Sequence, residues 1–120
     1  MAIHESAETY LETIYMLNLQ RGKVRSIDVA EFMGYSKPSV SRAVGLLKKA
    51  GYLVNDEDGF LVLTEEGAAA AKKVFERHTV LSHFLMKLGV AAEVAAEDAC
   101  KIEHVISDEA FLAIKGYMNM

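Results

Sequence analysis

From Ser6 to Leu19 the apolar residues Ala7, Tyr10, Leu11, Ile14, Tyr15 and Leu17 recur at three- and four-residue intervals, with Glu5, Glu8 and Glu12 on a neighbouring face. This spacing predicts an amphipathic helix, closed by Gly22. Ser26 is placed to cap a short second helix through Ile27, Val29, Ala30, Phe32 and Met33, and Gly34 sits where a helix C-cap belongs. The only proline, in Ser36-Lys37-Pro38-Ser39, fits the first turn of a third helix that buries Val40, Ala43, Val44 and Leu47 and ends at Gly51. Gly45 interrupts that helix at a cost of about 1 kcal/mol against alanine, and close packing on the second helix would explain it.

The period then changes from helix to strand. Tyr52-Leu53-Val54 and Phe60-Leu61-Val62-Leu63 flank Asn55-Asp56-Glu57-Asp58-Gly59, whose Asp-Gly step suits a tight hairpin turn. Beyond Thr64 a helical pattern runs through Ala68–Ala71, Val74, Phe75, Val80, Leu81, Phe84, Leu85 and Leu88 to Gly89. At 1.5 Å per residue such a helix is about 35 Å long, more than one small lobe needs, so it should reach into a second. Two further helices are predicted, over about Glu93–Ile106 and from an N-cap at Asp108 to Tyr117.

Two helices joined by a glycine-containing turn form a helix-turn-helix, and the hairpin after them makes it winged. The fold class is therefore mainly α. A winged helix-turn-helix of three helices and a two-stranded wing is expected over residues 1–72, followed by an α-helical lobe over residues 73–120.

Composition agrees with this: 120 residues, 52% hydrophobic and 25% charged, suit an ordinary soluble core, and the one proline leaves the chain free to be helical. The longest run without a charged residue is His78–Met86, far short of the 18–20 apolar residues a membrane span needs. The acidic start lacks the basic and apolar segments of a secretory signal, so a cytoplasmic location is expected. A lone Cys100 cannot form an internal disulfide and reads as a buried thiol, a nucleophile or a metal ligand.

Net charge changes the picture only when it is divided along the chain. The total of −4 argues against nucleic acid. Between Arg21 and Ala50, however, seven cations face two acids, for +5, and the remaining ninety residues carry −9. The basic segment contains the predicted recognition helix. Ser36, Lys37, Pro38, Ser39, Ser41 and Arg42 occupy its first turn and a half, the part that enters the major groove in helix-turn-helix proteins. Arg42 can fork to guanine, and the serines can bond phosphates or base edges. The alternative is that the serines merely cap a solvated helix. Wing, basic segment and Lys48-Lys49 together favour duplex DNA, with Arg25 a further candidate contact.

The acidic remainder holds a second chemistry. Cys100, Glu103 and His104, at i, i+3 and i+4, would share one helix face and present sulfur, carboxylate and imidazole. Such a mixed set suits a first-row ion such as Fe(II), Mn(II), Co(II) or Zn(II) better than Mg(II) or Ca(II). A buried cysteine beside a surface Glu-His pair is the plainer reading. His78 and Glu12, each on the polar border of its helix's apolar stripe, are candidates to complete a site; His83 reads as a surface histidine and His4 as part of a mobile terminus.

Four separated motifs carry a resemblance over nearly the whole chain: Glu8-Thr9-Tyr10-Leu11-Glu12-Thr13-Ile14-Tyr15, Ser36-Lys37-Pro38-Ser39-Val40-Ser41, Leu63-Thr64-Glu65-Glu66-Gly67 and the run from Asp98 to Glu109 around Cys100, Glu103 and His104. The chain resembles the diphtheria toxin repressor family of metal-dependent transcription repressors, which includes iron- and manganese-dependent regulators. The resemblance implies that Cys100, Glu103 and His104 belong to a metal-binding helix, with cysteine as in the iron branch. It implies that Glu12 is a carboxylate ligand of the manganese branch, His78 a histidine ligand of both, and Ser36, Pro38, Ser39 and Arg42 DNA contacts. It assigns residues 73–120 to metal binding and dimerisation, in a homodimer whose metal-bound form grips operators of metal-uptake genes. There are departures. Thr9 stands where methionine or aspartate is usual, Ser82 and Ala96 where iron-type members have further ligands, and Glu8 or a water is left to complete the coordination. The chain ends at Met120, which reads as a short form without an SH3-like third lobe, and dimerisation falls to the helices after Gly89, with the first helix as a further candidate.

The expected mechanism is that a divalent ion joins Glu12 on one lobe to Cys100, Glu103 and His104 on the other, setting the spacing of two recognition helices for successive major grooves about 34 Å apart. Fe(II) is favoured over Mn(II), with Zn(II) or Co(II) as further candidates. No membrane and no small organic substrate are expected as partners. A winged-helix regulator that has lost metal control, suggested by Thr9, is the alternative. A metal hydrolase with Glu103 as base ranks far below both, since nothing suggests a substrate cleft.

Overall fold

The computed structural model describes residues 5–119; His4 lies outside them. The order is α1 (Glu5–Arg21), α2 (Ser26–Met33), α3 (Lys37–Lys49), β1 (Leu53–Asn55), β2 (Leu61–Leu63), α4 (Glu65–Lys87), α5 (Ala92–Ile102) and α6 (Asp108–Met118). The chain divides into two compact units, one ending at Lys72 and one beginning at Lys73. No helix among the described residues is long and apolar enough to cross a membrane.

In the first unit, α2 packs on α3, and α1 packs on both α3 and β2. Their shared core contains Leu11, Ile14 and Leu17 of α1, Val29 of α2, Val40, Val44 and Leu47 of α3, and Leu53 and Leu61 of the wing. Burying such apolar side chains is worth about 1.5–3 kcal/mol each, which outweighs the weak intrinsic stability of an eight-residue helix such as α2. The α2–α3 turn is anchored from outside: Tyr35 meets Tyr10 edge to face at 6.2 Å between ring centres. Gly34 takes the left-handed conformation (φ 72°) that ends α2 and starts the turn.

The cap of α2 is shifted by one residue from the sequence expectation. Arg25 is the N-cap, because the Asp28 carboxylate accepts the Arg25 N–H at 2.8 Å, and Ser26 is already helical. In α3 the N-cap is Ser36, whose Oγ accepts the Ser39 N–H at 3.3 Å. The predicted role of Gly45 fails. A side chain there would meet nothing within 4 Å, so Gly45 faces open space on α3 and makes no close contact with α2.

The wing is a two-stranded antiparallel sheet, with Leu53 opposite Leu63 and Asn55 opposite Leu61. Val24 adds a bridge, its carbonyl accepting the Leu61 N–H at 2.8 Å. Gly59 (φ 84°) makes the turn. Gly67 is needed for a different reason. It lies against the backbone of Tyr52, and a Cβ there would collide with the Tyr52 carbonyl oxygen. Thr64 secures this junction, donating from Oγ1 to the Gly51 carbonyl at 2.7 Å and accepting the Gly67 N–H at 3.1 Å.

The second unit contains most of α4, together with α5 and α6. Its buried side chains include Val80, Leu81, Ala95, Ala99 and Phe111, and also two charged residues, Arg77 and Glu103. Helix α5 stops at Ile102, four residues before the expected end, and the chain passes through turns to an N-cap at Ser107 rather than Asp108. Arg77 of α4 occupies the freed acceptors. Its Nη1 donates to the carbonyls of Glu103 (3.3 Å) and Ile106 (2.8 Å), taking acceptors that a continuing helix would use.

Candidate metal centre and nucleic-acid surface

In the second unit, His78 of α4, Cys100 of α5 and Glu103 at the C-cap of α5 come together, with one donor atom from each lying within 4.8 Å of the others. Cys100 and Glu103 are three residues apart on adjacent turns, and His78 reaches them from α4. His78 Nδ1 is 3.0 Å from Glu103 Oε1. Cys100 is exposed, His78 half-buried, and Glu103 only 1% exposed. Among the described residues, Glu103 Oε2 is buried and has no hydrogen-bond partner. A carboxylate removed from water is costly unless paired, so an oxygen in this state fits a cation.

The other two candidate ligands are placed differently. Because α5 ends at Ile102, His104 lies in the turn after it, half-buried, and outside the three-residue cluster. Glu12 is half-buried on α1 in the first unit. Arg77 was not picked out from the sequence. A lone arginine inside a helical run reads as a solvated charge, and only its 8% exposure marks it as structural.

Nitrogen, thiol sulfur and carboxylate oxygen form a borderline donor set that suits divalent first-row ions. Thiolate and neutral imidazole are the binding forms, so metal uptake by this cluster would release protons and weaken in acid.

On the first unit, Arg25, Ser36, Lys37, Pro38, Ser39 and Arg42 are all exposed, as are Lys48 and Lys49 at the end of α3. The buried positions of α3 are Val40, Val44 and Leu47, so the basic and hydroxyl side chains lie on the face turned away from the core. Ser36 has a structural task as well, for its hydroxyl donates to Ser39 Oγ at 2.8 Å besides capping the helix. Arg25 stacks its guanidinium 4.1 Å from the centre of the Phe60 ring, and Lys23 lies 5.3 Å from the same ring and 3.8 Å from Asp56. Two cations from the α1–α2 connection are thus held beside the wing by an aromatic and a carboxylate. The N–H of Phe60 is the largest cause holding the Asp56 carboxyl below its ordinary pKa; burial opposes it, and the Asp58 N–H and the charges of Lys23 and Arg25 reinforce it. Burial, reinforced by the Tyr35 phenol, pushes Tyr10 up.

Comparison with known proteins matches residues 2–60 to the N-terminal DNA-binding domain of iron-dependent repressors, and residues 64–120 to their metal-binding and dimerisation domain. The transcriptional regulator MntR of Salmonella typhimurium is 36% identical over 112 residues, covering 91% of this chain and 71% of its own. An uncharacterised helix-turn-helix regulator of Methanocaldococcus jannaschii is 31% identical over 117 residues, covering 96% and 94%. The solved structure of the manganese regulator SloR superposes with a TM-score of 0.83 at 30% identity, covering 94% of this chain and 53% of that one. The chain thus spans about half the length of this solved relative.

Proposed function

Since the chain belongs to the diphtheria toxin repressor family of metal-dependent transcription regulators, we propose that it is a repressor of metal-homeostasis genes whose grip on operator DNA is switched on by a divalent transition ion. Its relatives are transcription regulators, not enzymes, and the hydrolase reading goes no further. The single observation that carries the metal site is the buried Glu103 carboxylate. One oxygen lies beside His78 and the other has no hydrogen-bond partner among the described residues, with the Cys100 thiol in the same cluster.

The proposed ligands are His78, Cys100 and Glu103, with His104 and Glu12 as further donors that the bound state would recruit. The preference for iron drawn from Cys100 is not supported: the matched domains are named for iron-dependent repressors, but the solved relatives include the manganese regulator SloR and a manganese-dependent repressor with manganese bound. Mn(II) is therefore the first ion to test, with Fe(II) beside it. The proposed DNA contacts are Ser36, Lys37, Pro38, Ser39 and Arg42 on α3, and Arg25 beside the wing. A homodimer would place two copies of α3 about one helical turn of DNA apart. Metal that binds the operator-competent arrangement better shifts the population toward it, typically by about 1–3 kcal/mol of coupling.

The test combines calorimetry of the metal-free protein with DNA selected from a random pool in the presence of Mn(II). Expected results are saturable Mn(II) binding, loss of that binding in Glu103→Gln, and DNA affinity that falls when chelator is added. Equal DNA affinity with and without metal would favour the regulator freed from metal control, the reading Thr9 suggested.

A further inference from the structure

Arg77 directly precedes His78 on α4, and these neighbours hold the same residue in different ways. His78 meets Glu103 at its carboxylate, 3.0 Å away, and Arg77 meets it at its main-chain carbonyl, 3.3 Å away. The guanidinium also donates to the Ile106 carbonyl at 2.8 Å, pairs with the Asp108 carboxylate, and lies 5.4 Å from the centre of the Phe111 ring. Residues 103–108 are thereby fastened at their beginning, middle and end by one side chain.

The local sequence does not impose this turn. No glycine or proline occurs between Lys101 and Ser107, and the pattern alone reads as helix to Ile106. If the helix continued, the Glu103 and Ile106 carbonyls would accept from residues 107 and 110. Instead the Ala110 N–H goes to Ser107 Oγ at 3.1 Å, and Arg77 takes both carbonyls. Glu103 is the C-cap, the first residue beyond α5, so the position of its side chain depends on where the turn is held. The task needs a rigid fork of several donors, which lysine lacks. The exposed Asp108 carboxylate offsets the charge, which would otherwise repel a cation at the neighbouring cluster.

We propose that Arg77 is a positioning residue for the metal centre: by clamping the 103–108 turn it sets the Glu103 carboxylate against His78 and Cys100, and so determines the affinity and geometry of the bound ion. This rests on the metal-site reading above. It also differs from a purely structural role, which would lower thermal stability and leave the folded protein's metal affinity unchanged.

The experiment uses the full chain and Co(II) as the probe, comparing wild type, Arg77→Lys and Arg77→Gln by calorimetry and by visible and near-ultraviolet absorption, with melting of the metal-free proteins alongside. Arg77→Gln is expected to bind Co(II) about 10–100-fold more weakly, the range typical when a partner of a metal ligand is lost. Its d–d bands and thiolate-to-cobalt band are expected to shift, with Arg77→Lys intermediate. If Arg77→Gln does not fold, Arg77→Lys decides. A folded variant with wild-type affinity and spectrum, whatever its melting temperature, overturns the role of Arg77. Failure of the wild type itself to bind Co(II) instead overturns the metal-site reading on which it rests.

Discussion

Two glycines with opposite surroundings show how residue type and environment combine. Gly67 lies on the Tyr52 backbone, which has no flexible end to move aside. Gly67→Ala should therefore destabilise the first unit by about 1–3 kcal/mol, as overpacking does, readable as a lower urea midpoint. Gly45 is helical, exposed and free of neighbours. Gly45→Ala should stabilise the metal-free protein by roughly 1 kcal/mol through helix propensity, and a loss of stability there would contradict this account. From the sequence both were single glycines in helical runs, and Gly45 was the one expected to serve packing. The distinction lies in what stands opposite each Cα, which no local pattern encodes. The same holds for Arg77 and Glu103, charged residues that fold into the interior.

At the level of elements, caps and turns bear the load. Ser36 caps α3 and heads the turn proposed to face DNA. Replacing an N-cap serine by alanine costs about 0.5–2 kcal/mol, and by glycine only a few tenths. Ser36→Gly should thus keep near-normal stability, so weaker DNA binding in that variant would report a direct contact; unchanged binding would leave Ser36 as a cap alone. In the wing, the pKa of Asp56 is lower in the folded protein than in the unfolded chain. Its stabilisation is therefore complete above the unfolded value of about 3.9 and is lost as pH falls through the folded one. The Phe60 and Asp58 amides, which bond Asp56 Oδ1 at 2.9 Å each, should keep their exchange protection down to that range and lose it below. Asp56→Asn should abolish this acid dependence. The helices α1 to α4 and the hairpin were legible because apolar spacing and turn residues mark them. The end of α5 was not, since the carbonyls beyond it are bonded by a side chain from α4, far earlier in the chain.

For the whole molecule, the net charge of −4 hides a basic reader within an acidic remainder. DNA affinity should fall linearly in log–log form as salt rises, despite the overall negative charge. Arg42→Ala should cost about 1–3 kcal/mol on operator DNA and relax preference at one base pair, while Lys37→Ala should weaken binding uniformly and reduce the salt slope by roughly 1. The reverse pattern would exchange their roles.

By itself the sequence determined the winged helix-turn-helix, the long fourth helix and the concentration of positive charge on one segment, because periodicity, caps and charge are properties of residues close together in the chain. It also named Cys100, Glu103 and His104 as neighbours on one helix face, of which the structure brings the first two together. Only the tertiary structure decided which imidazole joins them, where α5 ends, and which charged groups are taken out of water. His78 stands 25 residues from Glu103, and the buried carboxylate and its clamp arise where α4 meets the end of α5. Such a site is made by packing, and packing depends on all the elements at once.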